Sequence, residues 1–344
     1  MKASKRVMTW IVISLVLQCS VYLFLDKYYY GSAGDIKITD MTSEEQVKKI
    51  VPSVQLSSTA KNVTLSDDLA YTASIENGLV KVVDTNTGKE KANLTYSSGV
   101  KCLAYMWVPD SDIIDIVEKV NNSTIKFYSY NAENDVKTET TDSTTHKVLS
   151  VSAGQSAEMK MSVSTGVLYI KVGNYNNSSK IYRIDRNLSL TRASTSTSNV
   201  GNFAVASSDD QLIYEDLANE TVRAYNYPAK RSISIAGVKR LSIIGTDDND
   251  NFYIGNGSKQ SNKIYYGKLS DNSSSWKNVQ LDSMIDNKNI IVIHSGSIYI
   301  VDRQKSVVTD VKNNKVYTYQ GIFLQINNGN IIYNNGGELK FKPL

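Results

Sequence analysis

Short runs of alternating apolar and polar residues dominate the chain beyond residue 60, and most of them end in a turn rich in Asn, Gly or Ser. One example is the apolar run Ile290–His294, which is followed by Ser295-Gly296 and then by the run Ser297–Val301. An apolar run, a short turn and a second alternating run are the pattern of a β-hairpin. Helical periodicity is nearly absent, so the pattern predicts an all-β domain.

Seven Tyr- and Val-rich segments repeat the second half of this hairpin pattern. Their starts are separated by 45, 54, 42, 41, 34 and 41 residues, and a four-stranded propeller blade takes roughly 40–50 residues. A single hairpin cannot bury both of its faces, so such repeats must stack or close into a ring. We therefore predict a β-propeller of seven blades, and the unequal spacing leaves six or eight blades open. The segments start at Lys81, Lys126, Lys180, Val222, Lys263, Ser297 and Glu338.

Three turn motifs in the first two repeats resemble those of a known family. They are Ser66-Asp-Asp-x-x-Tyr71, Val83-Asp-x-x-x-Gly88-Lys89 and Trp107-Val-Pro-Asp-Ser111. They are similar to the blade turns of TolB-like and WD40-like propellers over about residues 61–137, and beyond them only the strand periodicity continues. The resemblance implies a propeller fold. Because these motifs are structural turns, it implies no catalytic residue.

An uncharged apolar run of 18 residues, Met8–Leu25, follows Lys2, Lys5 and Arg6 near the start of the chain. This length is at the lower limit for a helix that spans a bilayer. Positive charge before the run predicts a cytoplasmic N-terminus and a propeller outside the cell membrane. The sequence thus predicts a single-pass transmembrane anchor over residues 8–25. Its lipid-facing residues would include Trp10, Leu15, Leu17, Tyr22 and Leu25.

A cleaved signal peptide and a lipoprotein signal are two other interpretations of this run. A cleaved signal peptide needs small residues at its cleavage site, and Gln18, Tyr22 and Phe24 offer none. Lipoprotein processing at Cys19 stays open, although the bulky Gln18 precedes it and the apolar run continues beyond it. The residues favour an uncleaved anchor.

A connector over residues 31–58 would join the anchor, residues 1–30, to a propeller over residues 59–344. Gly31–Gly34 predicts a flexible joint, and Thr42-x-x-Glu45 has capping-box spacing, which predicts a short helix over residues 43–50. The last repeat supplies only three strands. We therefore expect the extended segment Val54–Ser57 to supply the missing outer strand and to close the ring.

Charge and cysteine content limit the partners. Residues 35–344 carry 34 Lys/Arg and 33 Asp/Glu, a net charge of +1, so the domain has no overall field that would attract nucleic acid. Cys102 is the only thiol beyond the apolar run. No intrachain disulfide is therefore expected, and a buried structural thiol in an inner strand is the favoured interpretation.

The sequence contains no recognisable catalytic or cofactor motif. The two histidines, His146 and His294, lie in no metal-binding spacing. The best metal candidate is Asp247, Asn249 and Asn251, whose oxygens recur at every second position as in a Ca²⁺ loop. Phe252 stands where such a loop needs Gly, so an ordinary Asp/Asn turn is favoured. No cofactor is predicted.

Two functional hypotheses follow. The first is a non-enzymatic binding or scaffold protein of a bacterial cell-envelope or exopolysaccharide-related complex. Its partner would be a protein of the same membrane complex, or else a polysaccharide bound by some of the 22 Tyr and three Trp. The second is an extracellular glycan hydrolase or lyase, with two carboxylates in the propeller funnel. We favour the first, because no nucleophile–base pair is recognisable.

Overall fold

A computed structural model describes residues 2–24, 50–92, 94–152, 154–174, 178–225 and 232–344. The chain divides into two compact units, residues 1–49 and residues 50–344. The predicted joint Gly31–Gly34 and the predicted helix over residues 43–50, except for Ile50, lie outside the described residues.

The first unit contains one helix, α1, which spans Lys2–Phe24. Its large apolar side chains are exposed on every side of the helix, with Trp10 and Tyr22 each 71% exposed. Among the residues that the structure describes, no helix combines the length and the apolar character needed to cross a membrane. The predicted transmembrane span over residues 8–25 is therefore not supported, and its last residue, Leu25, lies outside the described residues.

The described part of the second unit folds into seven antiparallel sheets, which are the blades of a propeller. The predicted all-β propeller of seven blades is confirmed. The strands are β1 (Lys61–Leu65), β2 (Tyr71–Glu76) and β3 (Leu79–Asp84) in blade 1; β4 (Lys101–Trp107), β5 (Ile113–Lys119), β6 (Thr124–Asn131), β7 (Val136–Glu139) and β8 (Ser150–Ser152) in blade 2; β9 (Ser156–Ser162), β10 (Val167–Gly173), β11 (Ser179–Ile184) and β12 (Leu190–Ala193) in blade 3; and β13 (Val200–Val205), β14 (Leu212–Asp216), β15 (Thr221–Tyr225) and β16 (Ser232–Ile233) in blade 4. Blade 5 has β17 (Ser242–Thr246), β18 (Phe252–Gly255), β19 (Gln260–Gly267) and β20 (Lys277–Asp286); blade 6 has β21 (Ile290–Val292), β22 (Ile298–Asp302), β23 (Val307–Asp310) and β24 (Lys315–Thr318); and blade 7 has β25 (Ile322–Asn327), β26 (Asn330–Asn335) and β27 (Glu338–Pro343).

The first strand of each blade faces the propeller axis. Strand β4 contacts β9, β13 contacts β9 and β17, β17 contacts β21, and β25 contacts β1. Most of these inner strands carry a register shift against the second strand of the blade, for example between Cys102 and Ala104 in β4. Between the blades, buried apolar side chains of neighbouring sheets pack together, as Tyr130 and Ile116 of blade 2 pack with Val82 of blade 1.

The repeated segments are the third strand of their blade in six cases but the second strand in blade 6. The segment that begins at Ser297 forms β22, and the third strand of that blade is β23. The assignment of this segment as equivalent to the others was therefore wrong, since β22 and β23 are both short and rich in Val and Ile. The long spacing before Lys180 has a different cause, because blade 2 includes the extra strand β8, which pairs with β6.

Residues 54–56 form the outer strand of blade 7. Gln55 pairs with Glu338 in antiparallel register. The amide of Leu56 donates to the carbonyl of Gly337 at 2.7 Å, and the amide of Leu339 donates to the carbonyl of Val54 at 3.2 Å. Val54 and Leu56 are buried in a cluster whose other members come from blades 1 and 7. A segment that precedes blade 1 thus completes blade 7 and joins the two ends of the ring.

Five hairpins share a turn that begins with Asp. In five hairpins an Asp carboxylate caps backbone amides two or three residues later, and the residue four positions after the Asp has a positive φ. Glycine suits this position, as Gly88 does with a φ of 71°. His146, with a φ of 54°, occupies the same position, so a turn accounts for it. The pairs are Asp84 and Gly88, Asp142 and His146, Asp216 and Glu220, Asp302 and Ser306, and Asp310 and Asn314.

Candidate functional site

The two ends of the propeller differ in charge. Consecutive antiparallel strands run in opposite directions, so the turns after first strands lie at one rim and the turns after second strands lie at the other. The first set contains nine Asp and no Lys, Arg or Glu, and we name this end the aspartate rim. The turns of the first set are residues 66–70, 108–112, 163–166, 206–211, 247–251, 293–297 and 328–329. The described turns after the third strands lie at the same end and contain both signs of charge: Lys89, Arg186, Lys268 and Lys312 with Glu133, Asp135, Asp185 and Asp271.

The opposite end, which we name the lysine rim, has the reverse balance. The turns after the second strands contain Lys259, Arg303 and Lys305 but only one acid, Glu220. The connections to the next blade add Lys239, Arg240 and Lys288. The described residues of the lysine-rim turns are 77–78, 120–123, 174, 178, 217–220, 256–259, 303–306 and 336–337. The domain is close to neutral as a whole, yet acids predominate in the turns at one end and bases in the turns at the other.

Several carboxylates of the aspartate rim have structural partners in the neighbouring blade. Asp67 accepts from the amide of Asp110 at 2.9 Å, and Asp250 accepts from the amide of Ser208 at 2.8 Å. Asp210 accepts from both Nε and Nη2 of Arg183, at 2.9 and 2.6 Å. Bonds of this kind hold adjacent blades together, so the acidity of this rim has a structural explanation.

Three lysines of the lysine rim have no comparable structural partner among the described residues. Lys61 and Lys101 begin the inner strands of blades 1 and 2 and are exposed, while Lys119 ends β5. Lys101 and Lys119 are direct cross-strand partners, and like charges in that position destabilise a sheet. None of the three forms an ion pair with any residue that the structure describes. A rim that retains such a pair is suited to an anionic partner.

The inner strands, all of which are described, contain a single carboxylate, Glu158. Lys171 lies 2.7 Å from it and also donates to the carbonyl of Gly201. Other half-buried residues of these strands are either apolar, as Met106, Met161 and Ile244 are, or neutral and polar, as Thr64, Gln325 and Asn327 are. A pair of carboxylates across the axis, as the glycan-hydrolase hypothesis requires, would need a partner for Glu158 from outside the inner strands.

The sequence-predicted metal candidate lies in the aspartate-rim turn of blade 5. One carboxylate oxygen of Asp247 accepts from the amides of Asn249 and Asn251 at 3.0 and 2.9 Å. Its other oxygen accepts from the Asn251 side chain and from the Tyr253 hydroxyl, each at 2.9 Å. Donors therefore surround this carboxylate, as an Asp/Asn turn requires. No cluster of three or more His, Cys, Asp or Glu suited to a metal occurs among the described residues.

The remaining single side chains are accounted for by packing or surface pairing. Cys102 lies in inner strand β4 and is buried, and burial raises its pKa to about 12, so the thiol stays protonated. His294 is exposed and lies 3.2 Å from Asp248 of the neighbouring blade. Tyr130 and Tyr169 are fully buried, and Tyr253 stacks on Tyr266 with ring centroids 5.1 Å apart. Such tyrosines pack the blades.

A polar cleft of about 610 Å³ lies on the flank of blades 1 and 2. Its floor is the ion pair between Glu118, 2% exposed, and Lys137, with an N–O distance of 2.6 Å. The Lys137 ammonium also lies 4.1 Å from the ring centre of Tyr96 and 4.4 Å from that of Tyr128. The pair joins the second strand of blade 2 to its outer strand, and Lys137 also donates to the carbonyl of Thr95, in the connection from blade 1, at 3.1 Å. It was not recognisable in the sequence, because its members are 19 residues apart on different strands.

Asp115 is a half-buried carboxylate in the second strand of blade 2. Burial raises its pKa to about 6, although a hydrogen bond that Ser129 donates to it acts in the opposite direction. From the ordinary value of 3.8 up to about pH 6, the folded state holds this proton more tightly than the unfolded chain. The free energy of unfolding should therefore fall as the pH rises through this window and should stay lowered above it.

We expect Asp115→Asn to raise the free energy of unfolding by about 2 kcal/mol at pH 8 and to change it little at pH 4. Thermal unfolding of the two proteins between pH 4 and pH 8 tests this. In Ser129→Ala, which removes the hydrogen bond to the charged form, the loss of stability with rising pH should be larger than in the unmodified protein. Parallel pH profiles for all three proteins would contradict the assignment.

Comparison with known proteins establishes the fold and nothing finer. No family model matches the chain, and no curated protein matches it. A chain of the mitotic checkpoint complex is similar at 11% identity, with a TM-score of 0.51, over 86% of this chain and 92% of that one. Kuenenia stuttgartiensis hydrazine synthase is similar at 11% identity, with a TM-score of 0.55, over 86% and 97%.

A prolyl endopeptidase is similar at 9% identity with a TM-score of 0.55, and the match covers 83% of this chain but only 49% of that one. At these identities the likeness is one of fold alone. It confirms the resemblance to WD40-like and TolB-like propellers at that level. The class of protein that the structure defines is thus a seven-bladed β-propeller.

Proposed function

We propose that this protein is a binding or scaffold protein whose lysine rim receives an anionic partner. The observation that carries the proposal is the separation of charge between the rims, with nine Asp and no base in one set of turns and unpaired Lys61, Lys101 and Lys119 at the other end. Separated charge guides a partner of opposite charge to one face and fixes its orientation. A non-enzymatic role agrees with inner strands that hold one ion-paired carboxylate.

We further propose that α1 attaches the protein to a cell membrane and that the partner is a component of the same cell-envelope complex. Support for attachment comes from the exposed apolar side chains on all sides of α1, such as Leu15 and Leu17, 54% and 64% exposed. A helix that is apolar all round needs an apolar environment. A protein is the first candidate for the partner, and an anionic polysaccharide is the second.

The unmodified protein should fractionate with membranes and stay there after a high-salt wash. A variant with Leu15→Lys and Leu17→Lys should shift to the soluble fraction, because a charge in hydrocarbon costs about 3 kcal/mol. The same two changes made at exposed propeller residues, Leu188→Lys and Leu217→Lys, serve as the control. Release of both variants, or of neither, would contradict a role for α1.

Partner binding is tested by crosslinking and capture from solubilised membranes of the native cell. The lysine-rim variant has Lys61, Lys101 and Lys119 changed to Glu, and the control has Lys89, Lys268 and Lys312, all exposed at the other rim, changed to Glu. The net charge changes equally in both. We expect the lysine-rim variant alone to lose its partner at least tenfold, by charge repulsion. Equal capture by both variants would refute the proposal, as would hydrolysis of an envelope glycan by the purified protein.

A further inference from the structure

A second cleft, of about 640 Å³, opens on the lysine rim between blades 4 and 5. One wall is the connection from blade 4, residues 237–240, and the other is the turn between β18 and β19, residues 256–260. Asp286 at the end of β20 completes the lining. All of these residues are described, and none belongs to the inner strands or to the flank cleft above Glu118.

The basic side chains of this cleft differ in whether they have an ionic partner. Arg240 donates from Nε to Glu220 at 2.8 Å, and its Nη2 lies 2.6 Å from the other oxygen of that carboxylate. This bidentate pair neutralises Arg240. Lys239 and Lys259, one on each wall, are exposed and form no ion pair with any described residue. The carboxylate of Asp286, which accepts from the amide of Lys288 at 2.9 Å, is the one acidic group of the lining. The two ammonium groups outnumber it, so the cleft keeps a net positive charge.

The turn that carries Lys259 is held in shape by amide side chains. The carbonyl oxygen of the Asn256 side chain accepts from the amides of Asn262 and Lys263, each at 3.1 Å. The Asn287 side chain donates to the carbonyl of Gly257 at 2.9 Å. A Cβ at Gly257 would lie 2.2 Å from the carbonyl oxygen of Gln260, so the turn closes this tightly only with glycine.

The same turn leaves its backbone donors unused. The amides of Gly257, Ser258 and Lys259 donate to no acceptor among the described residues, whereas the amide of Asn256, just before them, and that of Asn262, three residues after them, do so. Successive free amides in a rigid turn beside basic side chains form an anion-binding concavity. Their fixed geometry lowers the entropy cost of binding an oxyanion.

We propose that this cleft binds a single oxyanion, the phosphate or carboxylate group of an anionic glycan. Lys239 and Lys259 would supply the charge, and the amides of residues 257–259 would donate to the oxygens. Ser258 and Gln260 offer neutral hydrogen-bonding groups for sugar hydroxyls. The cleft has no aromatic side chain on which a nucleobase could stack. The inference rests on the proposed function, because it names the ligand chemistry of the lysine rim.

The test is ligand-observed NMR on the full-length protein in detergent at low ionic strength. The probes are glucose 1-phosphate, glucuronate and, as the uncharged control, glucose. We expect saturable binding of the first two and none of glucose. Binding of only one charged sugar would still support the site and would identify the oxyanion. If neither binds saturably, or if a poly-glutamate peptide binds more tightly than both, the proposal is overturned.

The residues are tested with Lys239→Ala/Lys259→Ala against a control variant, Lys268→Ala/Lys312→Ala, which removes two exposed lysines from the other rim. The first should weaken binding at least tenfold and the second less than twofold. Equal weakening would show a general charge effect and would refute the site. If the unmodified protein binds neither charged sugar while partner capture still depends on Lys61, Lys101 and Lys119, this site is refuted and the proposed function stands.

Discussion

Val54→Asp is expected to lower the free energy of unfolding by at least about 3 kcal/mol, since it places an unpaired carboxylate in a closed apolar core. Val54 is 3% exposed and lies in the outer strand of blade 7, where its carbonyl accepts from Leu339. The residues around it come from blades 1 and 7. Loss of this strand removes the junction between the first and the last blade, so the whole ring should unfold at lower temperature.

The matched control is Val51→Asp. Val51 is 63% exposed and lies three residues earlier in the same segment, so this change should cost less than about 0.5 kcal/mol. Circular dichroism at the strand band during thermal unfolding of the full-length proteins compares the two. If both variants melt alike, residues 54–56 do not contribute to ring stability in the way that their hydrogen bonds indicate.

Glu118→Ala should destabilise the protein by about 3 kcal/mol, because it leaves the Lys137 ammonium without its partner in a largely buried site. The Glu118 carboxylate is 2% exposed and the Lys137 side chain is 13% exposed. Burial raises the pKa of Glu118, and the hydrogen bond from Lys137 opposes that rise. Exposed ion pairs contribute little to the free energy of unfolding, but this pair is largely buried, so its loss should cost more.

Glu139→Ala is the comparison, since Glu139 pairs with Lys126 at 2.7 Å on the same flank but both side chains are about a third exposed. This change should cost less than about 1 kcal/mol. The double variant Glu118→Met/Lys137→Met should recover part of the stability that Glu118→Ala loses, because no unpaired charge remains. Chemical denaturation of the unmodified protein and these three variants compares their free energies of unfolding. Equal effects of the two single alanine variants would contradict a buried pair.

Local pattern in the chain accounts for most of the fold. Strand alternation and Asn/Gly turns are properties of adjacent residues, so the hairpins could be located and seven repeats counted. The same pattern could not show which position each strand takes within its blade. The segment at Ser297 has the composition of a third strand, yet it forms the second strand β22, and the third strand β23 is similarly short and apolar. The apolar run at residues 8–25 was equally clear as a pattern, and the structure supports a helix there without supporting a membrane span.

The candidate surfaces depended on the tertiary structure. The sequence alone determined a nearly neutral, repetitive all-β domain with many Asp and Asn turns. The direction of each strand decides at which rim the following turn lies. Strand direction thus places nine Asp at one rim and Lys61, Lys101 and Lys119 at the other. The contacts that build the clefts join residues on different strands or blades, as Glu118 joins Lys137 and Asn287 joins Gly257. The pairing of strands into a blade brings such residues together, and no local spacing encodes that distance.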